Sequence, residues 1–521
     1  MTSPNSTKQT EFDVIVAGAG ISGALAALRL AVSRTADLPS LKILLVEKEA
    51  VPGGRLRSYA GDAVSVPNHQ DEGDATKTPA WGYGLNGVSK PLIEFWQQTM
   101  RADPDSVWDP DFFAAKEQCT LGILSGSDLS TLPLNQMFAG KGARALGGMA
   151  AARQWDHVTN ILNANRQVDS SLDSSLDSPT ALDSGESGET LEAVEAVEAV
   201  EAVEAVEAVE AVEAVEAVEA KITAAKSDGK ADQKTFAQVW TESRKSPAAV
   251  VLEQFCPVIG ITDLWSTPPE AFCERVRYHT GPLKRGPWQV AITEALQKYI
   301  DAGIITLTTN CRVMAATLDS QWQLTTTQGS FAAARLIVAQ PPWQALSWLP
   351  KHHWPASLLA MASKIKPVSA VTLTERLEKS AAGDLPDLIM IPAEGVQAIR
   401  SSEDEITFQA TIDFEISVQA PEVVKAVKRL KRARKKLLSA RAGCMSDHER
   451  IALVTVAWGQ SAAVSETKLL RRMTKSAINS AKLAFCGDCY GASYVGDENV
   501  IKSVVSATSI IGQSLQQSLQ Q

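Results

Sequence analysis

The sequence has few of the residues that build metal centres or disulfide frameworks. Its 521 residues include seven cysteines and six histidines, and the cysteines are scattered along the chain. An odd number of scattered cysteines argues against a secreted disulfide framework and favours a reducing compartment, so we expect a cytoplasmic protein. The sequence contains neither a paired CxxC set nor HExxH, so no zinc site is expected.

Long hydrophobic runs are also scarce. Only Phe12 to Val32 approaches the length of a membrane span, which needs about 18 to 20 apolar residues. This run contains Asp13, Arg29 and three glycines at fixed offsets. The glycines indicate a turn inside the run, so we reject a transmembrane helix here.

Positive charge is missing from one long segment. Residues 167–220 contain sixteen acidic residues and no Lys or Arg, and nine Glu-Ala-Val triplets run from Glu192 to Val218. A period of three does not match the 3.6 residues of a helical turn, so the valines form no apolar stripe. We therefore predict a solvated low-complexity insertion at 167–232, partly helical and partly disordered. A protein-binding role for it is the alternative.

A glycine-rich turn follows the first short apolar run. Val14 to Ala17 precedes the pattern GxGxxG, and a helical stretch from Ala24 to Val32 follows it. The first glycine permits a tight turn, the second lets the backbone approach a pyrophosphate, and the third lets the helix pack closely on the strand. The phosphates then meet free N–H groups at the positive end of the helix. The turn consists of Gly18, Ala19, Gly20, Ile21, Ser22 and Gly23.

Two further segments strengthen this motif. A second apolar run, Lys42 to Glu47, ends in a carboxylate that can accept hydrogen bonds from the adenosine ribose. Gly53-Gly54-Arg55 then supplies another glycine pair and a positive charge near the pyrophosphate. Strand, turn, helix and strand predict a βαβ dinucleotide-binding unit. Lys48 and Leu56 complete this first set of predicted cofactor contacts.

Together these segments resemble the superfamily of flavin-containing amine oxidases, renalases, protoporphyrinogen oxidases and phytoene desaturases. Gly286 to Pro342 is similar to that group's second cofactor segment, which implies that the backbone of Val313 contacts adenine. The resemblance fades over 84–278 and 345–450.

A third segment near the C-terminus extends the resemblance. Gly487 and Asp488 follow a short apolar run, and in this group such a pair contacts the ribityl and pyrophosphate part of FAD. A helix from Asn499 to Gln513 is predicted next. By resemblance its first N–H groups, at Asn499 and Val500, point at the flavin and stabilise negative charge there.

The resemblance implies an α/β fold with a Rossmann-type FAD-binding domain that is discontinuous in sequence, a second α+β substrate domain and the acidic insertion. FAD is the expected cofactor. The predicted FAD-binding segments are 10–80, 275–345 and 450–516, the substrate-domain segments are 81–166, 233–274 and 346–449, and the insertion is 167–232.

The implied activity is transfer of a hydride equivalent from an amine or similar small organic substrate to flavin N5. Oxygen or another acceptor would then reoxidise the flavin. Two alternatives stay open, a desaturase or isomerase of a hydrophobic substrate at the membrane surface and a non-catalytic flavin-binding scaffold. No residue is assigned a catalytic role.

Residues Glu422 to Arg441 form a strongly basic stretch with nine Lys or Arg. Val423, Val427, Leu430 and Leu437 share one helical face, which predicts a surface helix with its apolar stripe on the core. A peripheral membrane helix is the alternative, and it would favour the desaturase. Nucleic-acid binding is disfavoured because no aromatic residues interleave with the charges.

Cys486 and Cys489 form a single CxxC beside the predicted flavin site. A redox-active pair that relays electrons to the flavin is one interpretation. Coincidence is the preferred one, because the Gly-Asp between the cysteines is already explained by the cofactor.

Overall fold

The computed structural model describes residues 11–33, 41–54, 58–59, 81–82, 88–101, 120–125, 128–133, 140–164, 235–256, 261, 263–280, 283–284, 288–362, 368–377, 385–402, 405–413, 417, 419–439, 449–456, 478–490 and 496–520. The chain divides into two units, one formed by Met1–Leu162 with Thr235–Gln521 and the other by Asn163–Lys234. The predicted acidic insertion at 167–232 lies outside the described residues.

Eleven α-helices belong to the described part of the larger unit. They are α1 (Ile21–Val32), α2 (Lys90–Arg101), α3 (Gly140–Ala164), α4 (Phe236–Val239), α5 (Pro247–Phe255), α6 (Pro269–Thr280), α7 (Trp288–Asp301), α8 (Pro342–Ala345), α9 (Ala356–Ala362), α10 (Pro421–Ser439) and α11 (Gly496–Gln520).

The strands of the same unit form two large sheets and two short antiparallel pairs. They are β1 (Glu11–Ala17), β2 (Ile43–Val46), β3 (Ser58–Tyr59), β4 (Trp81–Gly82), β5 (Val88–Ser89), β6 (Thr120–Ser125), β7 (Asp128–Pro133), β8 (Leu283–Lys284), β9 (Ile305–Thr308), β10 (Val313–Leu318), β11 (Trp322–Thr326), β12 (Gly329–Val338), β13 (Val368–Arg376), β14 (Leu388–Ile391), β15 (Val396–Ser402), β16 (Glu405–Asp413), β17 (Glu449–Val456) and β18 (Leu483–Phe485).

The first sheet has the strand order β10-β11-β12-β1-β2-β9, and β18 pairs with β12. The pairs β1–β2, β1–β12, β2–β9 and β12–β18 are all parallel. Parallel strands are covered on both faces, which explains why these runs are almost wholly apolar. Their carboxyl ends meet at one edge of the sheet, where Ala17 and Val46 lead into loops.

Helices cover one face of the first sheet. Leu25 of α1, Trp96 of α2, Leu296 of α7 and Val504 of α11 belong to one buried cluster with the sheet residues that face them. On the opposite face, Trp322 of β11 and Leu358 of α9 belong to a second cluster. Residues of the three predicted FAD-binding segments therefore share these clusters with α2 and α9, which lie in predicted substrate-domain segments.

The second sheet has the order β17-β13-β16-β15-β14-β6-β7 and is antiparallel except for the pair β6–β14. Alternation along β16 separates its two faces. Ile406, Phe408 and Ala410 share a buried cluster with α10, whereas Thr407 and Gln409 lie on the other face. The predicted α/β class with a second sheet is thus confirmed.

A layer of helices covers one end of that other face. Leu121 of β6 and Met390 of β14 are clustered with Trp155 of α3, Phe255 of α5 and Phe272 of α6. The apolar side chains of β6 and β14 therefore have a partner layer.

The basic helix α10 packs on the second sheet through the stripe predicted from the sequence. Val423, Leu430 and Leu437 are buried there, and Val427 is partly buried. The prediction of a surface helix with its apolar face on the core is borne out. Because that face is occupied by protein, it is not free to enter a bilayer. Among the described residues no helix is long and apolar enough to cross a membrane.

Several cations of α10 are bound by the sheet beneath it. Arg434 forms an ion pair with Glu375, whose side chain is fully buried. Arg432 and Lys436 both bind the carboxylate of Glu394, at 2.8 and 2.6 Å. Arg429 donates to the backbone carbonyls of Glu394 and Gly395. These four cations, which are half of the Lys and Arg residues of α10, therefore attach the helix to the rest of the fold.

Candidate dinucleotide site

The glycine-rich turn joins the carboxyl end of β1 to α1. Gly18 has a φ of 106°, a conformation that side chains disfavour, and its N–H donates to Val46 O at 2.8 Å. A Cβ at Gly23 would lie 1.8 Å from Gly18 O. The helix therefore packs against the turn at a distance that only glycine allows, as predicted.

The first turn of α1 presents backbone donors. Its N-cap is Gly20, which has no side chain to cap the helix. The N–H of Ala24 bonds to Gly20 O at 2.9 Å, which is the first bond of the helix. The N–H groups of Ile21, Ser22 and Gly23 precede that bond, and no acceptor for them is found among the described residues. Free donors at the positive end of a helix bind anions.

The second glycine pair lies directly beside the first turn. Gly53 N–H donates to Ala19 O at 2.8 Å, and Gly53 forms a parallel bridge with Gly20. Gly54 has a φ of 56°, and a Cβ there would lie 3.0 Å from Gly20 Cα. Side chains at these positions would fill the groove between the two loops. Arg55 and Leu56 lie outside the described residues.

Glu47 follows β2 and is almost fully buried, at 5% exposure. Its carboxylate accepts N–H bonds from Ala19 at 2.9 Å and from Glu49 at 3.0 Å. Burial raises the pKa of Glu47, and the bonds from Glu49 and Ala19 oppose that shift. The amide of Ala19 is consequently used inside the protein and is not available to a phosphate. Lys48 lies outward, paired with Glu49 at 2.7 Å.

The segment before Val313 is bonded to the loop that contains Glu47. Cys311 N–H donates to Glu47 O and Asn310 N–H to Glu49 O, both at 2.8 Å. Val313 opens β10 and is 5% exposed. The structure therefore brings this residue close to the acid that ends β2, although more than 260 residues separate them.

Gly487 and Asp488 follow β18 at the same edge of the sheet. Cys486 N–H donates to Val338 O at 3.0 Å, and Gly487 has a φ of 147°. Cys486 Sγ lies 3.8 Å from Ser22 O of α1. The C-terminal and N-terminal parts of the predicted site are thus adjacent.

Helix α11 holds this loop through side chains that differ from the prediction. It begins at Gly496, three residues before the predicted start, because the acidic Asp497 and Glu498 suit a first helical turn. Asn499 and Val500 are therefore the fourth and fifth residues of the helix and do not supply its first N–H groups, whereas their contact with FAD stays a prediction. Asn499 instead donates from its side-chain Nδ2 to Asp488 O at 2.9 Å.

Ser503 and Tyr490 are site residues that the sequence did not reveal. Ser503 Oγ accepts the N–H of Gly487 at 2.9 Å, and Tyr490 donates to Gln340 O at 2.6 Å. Neither residue belongs to a motif. In the sequence, Ser503 is indicated only by its position about one helical turn after Asn499. That spacing can be used only when the start of the helix is predicted correctly.

Cys486 and Cys489 are both buried thiols that form no disulfide with each other. Cys486 belongs to the cluster on the helical face of the first sheet, whereas Cys489 belongs to the cluster on the opposite face. Burial raises the pKa of Cys486 to about 12, so its thiol stays protonated and unreactive at neutral pH. These observations support the interpretation of this CxxC as a coincidence.

Comparisons with known proteins agree with this geometry. Residues 16–70 match the family model of the NAD(P)-binding Rossmann-like domain. Comparison with curated proteins finds no match.

Solved structures of similar fold include three oxidoreductases. Cyclohexylamine oxidase from Brevibacterium oxydans is 14% identical with a TM-score of 0.58, covering 97% of this chain and 100% of that one. Putrescine oxidase bound to putrescine is 13% identical with a TM-score of 0.55, covering 97% and 99%. An oxidoreductase from Methanosarcina mazei is 12% identical with a TM-score of 0.50, covering 95% and 99%. At these identities the likeness confirms the predicted amine oxidase-like fold.

Proposed function

We propose that the protein is an FAD-dependent oxidoreductase that oxidises an amine or a similar small organic molecule. The observation that carries the proposal is the meeting of three chain segments at one edge of the first sheet. These are the turn at 18–23, the glycine pair at 53–54 and the loop at 487–488, with Glu47 between the first two.

The residues present fit a dinucleotide. Free N–H groups of the first turn of α1 would hold the pyrophosphate, and the bare backbones of Gly20 and Gly54 leave room for it. Among the described residues, a Cβ at Gly20 would have only Gly54 Cα within 4 Å.

Glu47 would bind the adenosine ribose. Two backbone N–H bonds fix its carboxylate, and each oxygen can still accept another hydrogen bond. The same charge would repel a 2′-phosphate, which favours FAD over NADP.

The loop at Gly487 and Asp488 would contact the ribityl chain. Ser503 and Asn499 hold this loop from α11, so the helix positions the contact and does not make it with its own backbone. When bound, FAD would supply the hydride acceptor, and the chain would supply orientation and exclusion of water.

The folds of cyclohexylamine oxidase and putrescine oxidase support an amine as the class of substrate. The membrane-surface desaturase loses its main argument, because the apolar face of α10 is packed on the second sheet. Peripheral contact through the exposed lysines of α10 stays a prediction.

The test is an absorbance spectrum of the purified protein, followed by anaerobic titration with amines. A yellow chromophore that is released on heating and reduced by an amine is expected. A protein that stays colourless with added FAD would overturn the proposal, and a flavin that no substrate reduces would favour the scaffold.

The variant Glu47→Gln sharpens the assignment of the ribose contact. We expect it to weaken FAD retention by about tenfold or more, since a charge-assisted hydrogen bond contributes about 1.5–3 kcal/mol. Glu49→Gln is the matched control, because that side chain lies two residues away and forms an ion pair with the exposed Lys48 at 2.7 Å. Equal FAD retention by the two variants would show that Glu47 serves the turn alone.

A further inference from the structure

A row of polar side chains crosses the second sheet on the face turned away from α10. Gln397 of β15 and Gln409 of β16 are directly opposite each other, and Thr372 of β13 is opposite Gln409. Residues opposite each other in a sheet lie on the same face. The neighbours Phe408 and Ala398 face α10, which fixes the glutamines on the other side.

Both glutamines are buried, and among the described residues their side chains include amide atoms without a hydrogen-bond partner. Gln409 is 2% exposed and Gln397 is 4% exposed. Within the described part of the chain, neither Nε2 nor Oε1 of Gln409 has a partner, and Oε1 of Gln397 has none either. A buried polar group without a partner costs about 1–3 kcal/mol, so such groups require an explanation.

The adjacent row shows that this face can satisfy its own polar groups. Thr374 and Thr407 are also opposite each other, and their hydroxyls form a hydrogen bond at 3.0 Å. On the other side, Met390 is opposite Gln397 and packs into the helical layer of α3, α5 and α6. The unpaired amides are therefore confined to one place, between a satisfied pair and an apolar cluster.

The chemistry of the row selects a neutral ligand. An amide offers both a donor and an acceptor, and Gln409 has both free. Gln397, Gln409, Thr372 and Met390 carry no charge, and a buried ammonium or carboxylate group would need an opposite charge beside it. A carboxamide, with adjacent N–H and C=O groups, matches Gln409 atom for atom.

We propose that Gln409 and Gln397 bind a neutral carboxamide-type group of the substrate. This inference rests on the proposed function, because Gln397 and Gln409 lie in the segment 346–449, which is assigned to the substrate domain. The proposal restricts the substrate to an amine that also carries a carboxamide-type group, separate from the carbon atom that is oxidised. A simple diamine and a plain hydrocarbon both lack the matching atoms.

The first experiment compares three probes of equal chain length, namely hexanamide, hexylamine and hexanoate, by calorimetric titration of the protein as purified. We expect hexanamide to bind at least about tenfold more tightly than the two charged probes, which corresponds to about 1.4 kcal/mol. Binding of all three with equal affinity would overturn the proposal. Hexanamide carries no amine to oxidise, so its binding is measured independently of turnover.

The second experiment uses Gln409→Leu with the exposed Gln517→Leu of α11 as the matched control. Loss of hexanamide binding by about tenfold or more is expected in Gln409→Leu alone. The same variant should melt at the same temperature as the unliganded parent or higher, because an unpaired buried amide is replaced by an apolar group. A lower melting temperature would show that the amide has a structural partner and would contradict the proposal.

Flavin content separates this inference from the proposed function. Gln409→Leu should keep its yellow spectrum if the protein binds FAD as proposed. A colourless parent that still binds hexanamide through Gln409 would remove the oxidoreductase and keep the amide site. A yellow parent that does not bind hexanamide would keep the oxidoreductase and remove the amide site.

Discussion

The two sheets of this protein build their sites from different parts of the chain. At the edge of the first sheet the candidate groups are backbone amides, exposed by glycines that leave a groove between two loops. On the second sheet they are side-chain amides, Gln397 and Gln409, in a regular antiparallel array. The first arrangement suits phosphates, and the second suits a neutral polar group.

The two sheets also differ in which groups bind their buried carboxylates. Glu47 of the first sheet is held by backbone N–H groups and keeps part of its hydrogen-bonding capacity for a ligand. Glu375 and Glu394 of the second sheet are bound by cations of α10. Backbone donors thus hold a carboxylate that is proposed to bind a ligand, whereas ion pairs hold carboxylates that attach a helix.

Among the tests of this difference, the largest loss of stability is expected when the ion pair between Arg434 of α10 and Glu375 is broken. Arg434→Met leaves Glu375 buried without its arginine, and loss of one partner of a buried pair costs about 3–5 kcal/mol in unfolding free energy. Urea denaturation measures the change. Lys435→Met, at the adjacent exposed position, should change stability by less than about 0.5 kcal/mol. Similar values for both variants would mean that the pair contributes little to the packing of α10.

A smaller loss of stability is expected when a side chain is added where α1 packs against the glycine-rich turn of the first sheet. Gly23→Ala places a methyl group 1.8 Å from Gly18 O, so α1 must move, at a cost of about 1–3 kcal/mol. The midpoint temperature of thermal denaturation and the flavin absorbance of the purified variant should both fall. The control Gly512→Ala lies in α11 with open space around its Cβ, and it should stabilise the helix by about 1 kcal/mol. Full flavin content in Gly23→Ala would show that the turn tolerates displacement and does not hold the phosphates.

The smallest effect is a pH dependence at Glu394. Burial alone would raise the pKa of this carboxyl, but the hydrogen bonds from Lys436 and Arg432 outweigh it and hold the pKa below its usual value. A carboxyl with a depressed pKa stabilises the folded state above its unfolded pKa, near 4.3, and loses that contribution as the pH falls through the folded pKa.

The variant Glu394→Gln tests that linkage. Its stability deficit against the parent should be largest at pH 7 and should shrink as the pH falls below about 4. Urea denaturation at a series of pH values measures it. A deficit that does not change with pH would mean that Glu394 acts through hydrogen bonds alone and that its charge is irrelevant.

Local patterns were sufficient to predict the first sheet. Short apolar runs, the spacing of Gly18, Gly20 and Gly23, and the acid after β2 act within a few residues of each other. Parallel strands buried on both faces read as continuous apolar runs, so their sequence signal is strong. The amphipathic pattern of α10 was equally local, and its apolar stripe lies on the core.

The start of α11 and the partners of Gly487 could not be predicted in the same way. The helix start depends on a first turn formed by Gly496, Asp497 and Glu498, which the resemblance did not include. Ser503 accepts the N–H of Gly487 across a separation of 16 residues, so this contact depends on how α11 packs beside the loop and not on a local pattern.

The polar face of the second sheet was visible in sequence but could not be interpreted from it. Along β16 the apolar residues alternate with Thr407, Gln409 and Thr411, which is the pattern of a strand with one face in water. The structure buries Gln409 on that face. Burial depends on what other segments place above a strand, and no local pattern records it.

The sequence by itself determined the βαβ unit and the glycine-rich turn that is proposed to hold a dinucleotide, because glycine conformations and strand periodicity are properties of neighbouring residues. Only the tertiary structure decided which distant segments complete the site and which polar side chains lie buried without partners. Those contacts join residues far apart in the chain, and their energies depend on burial that exists only after folding.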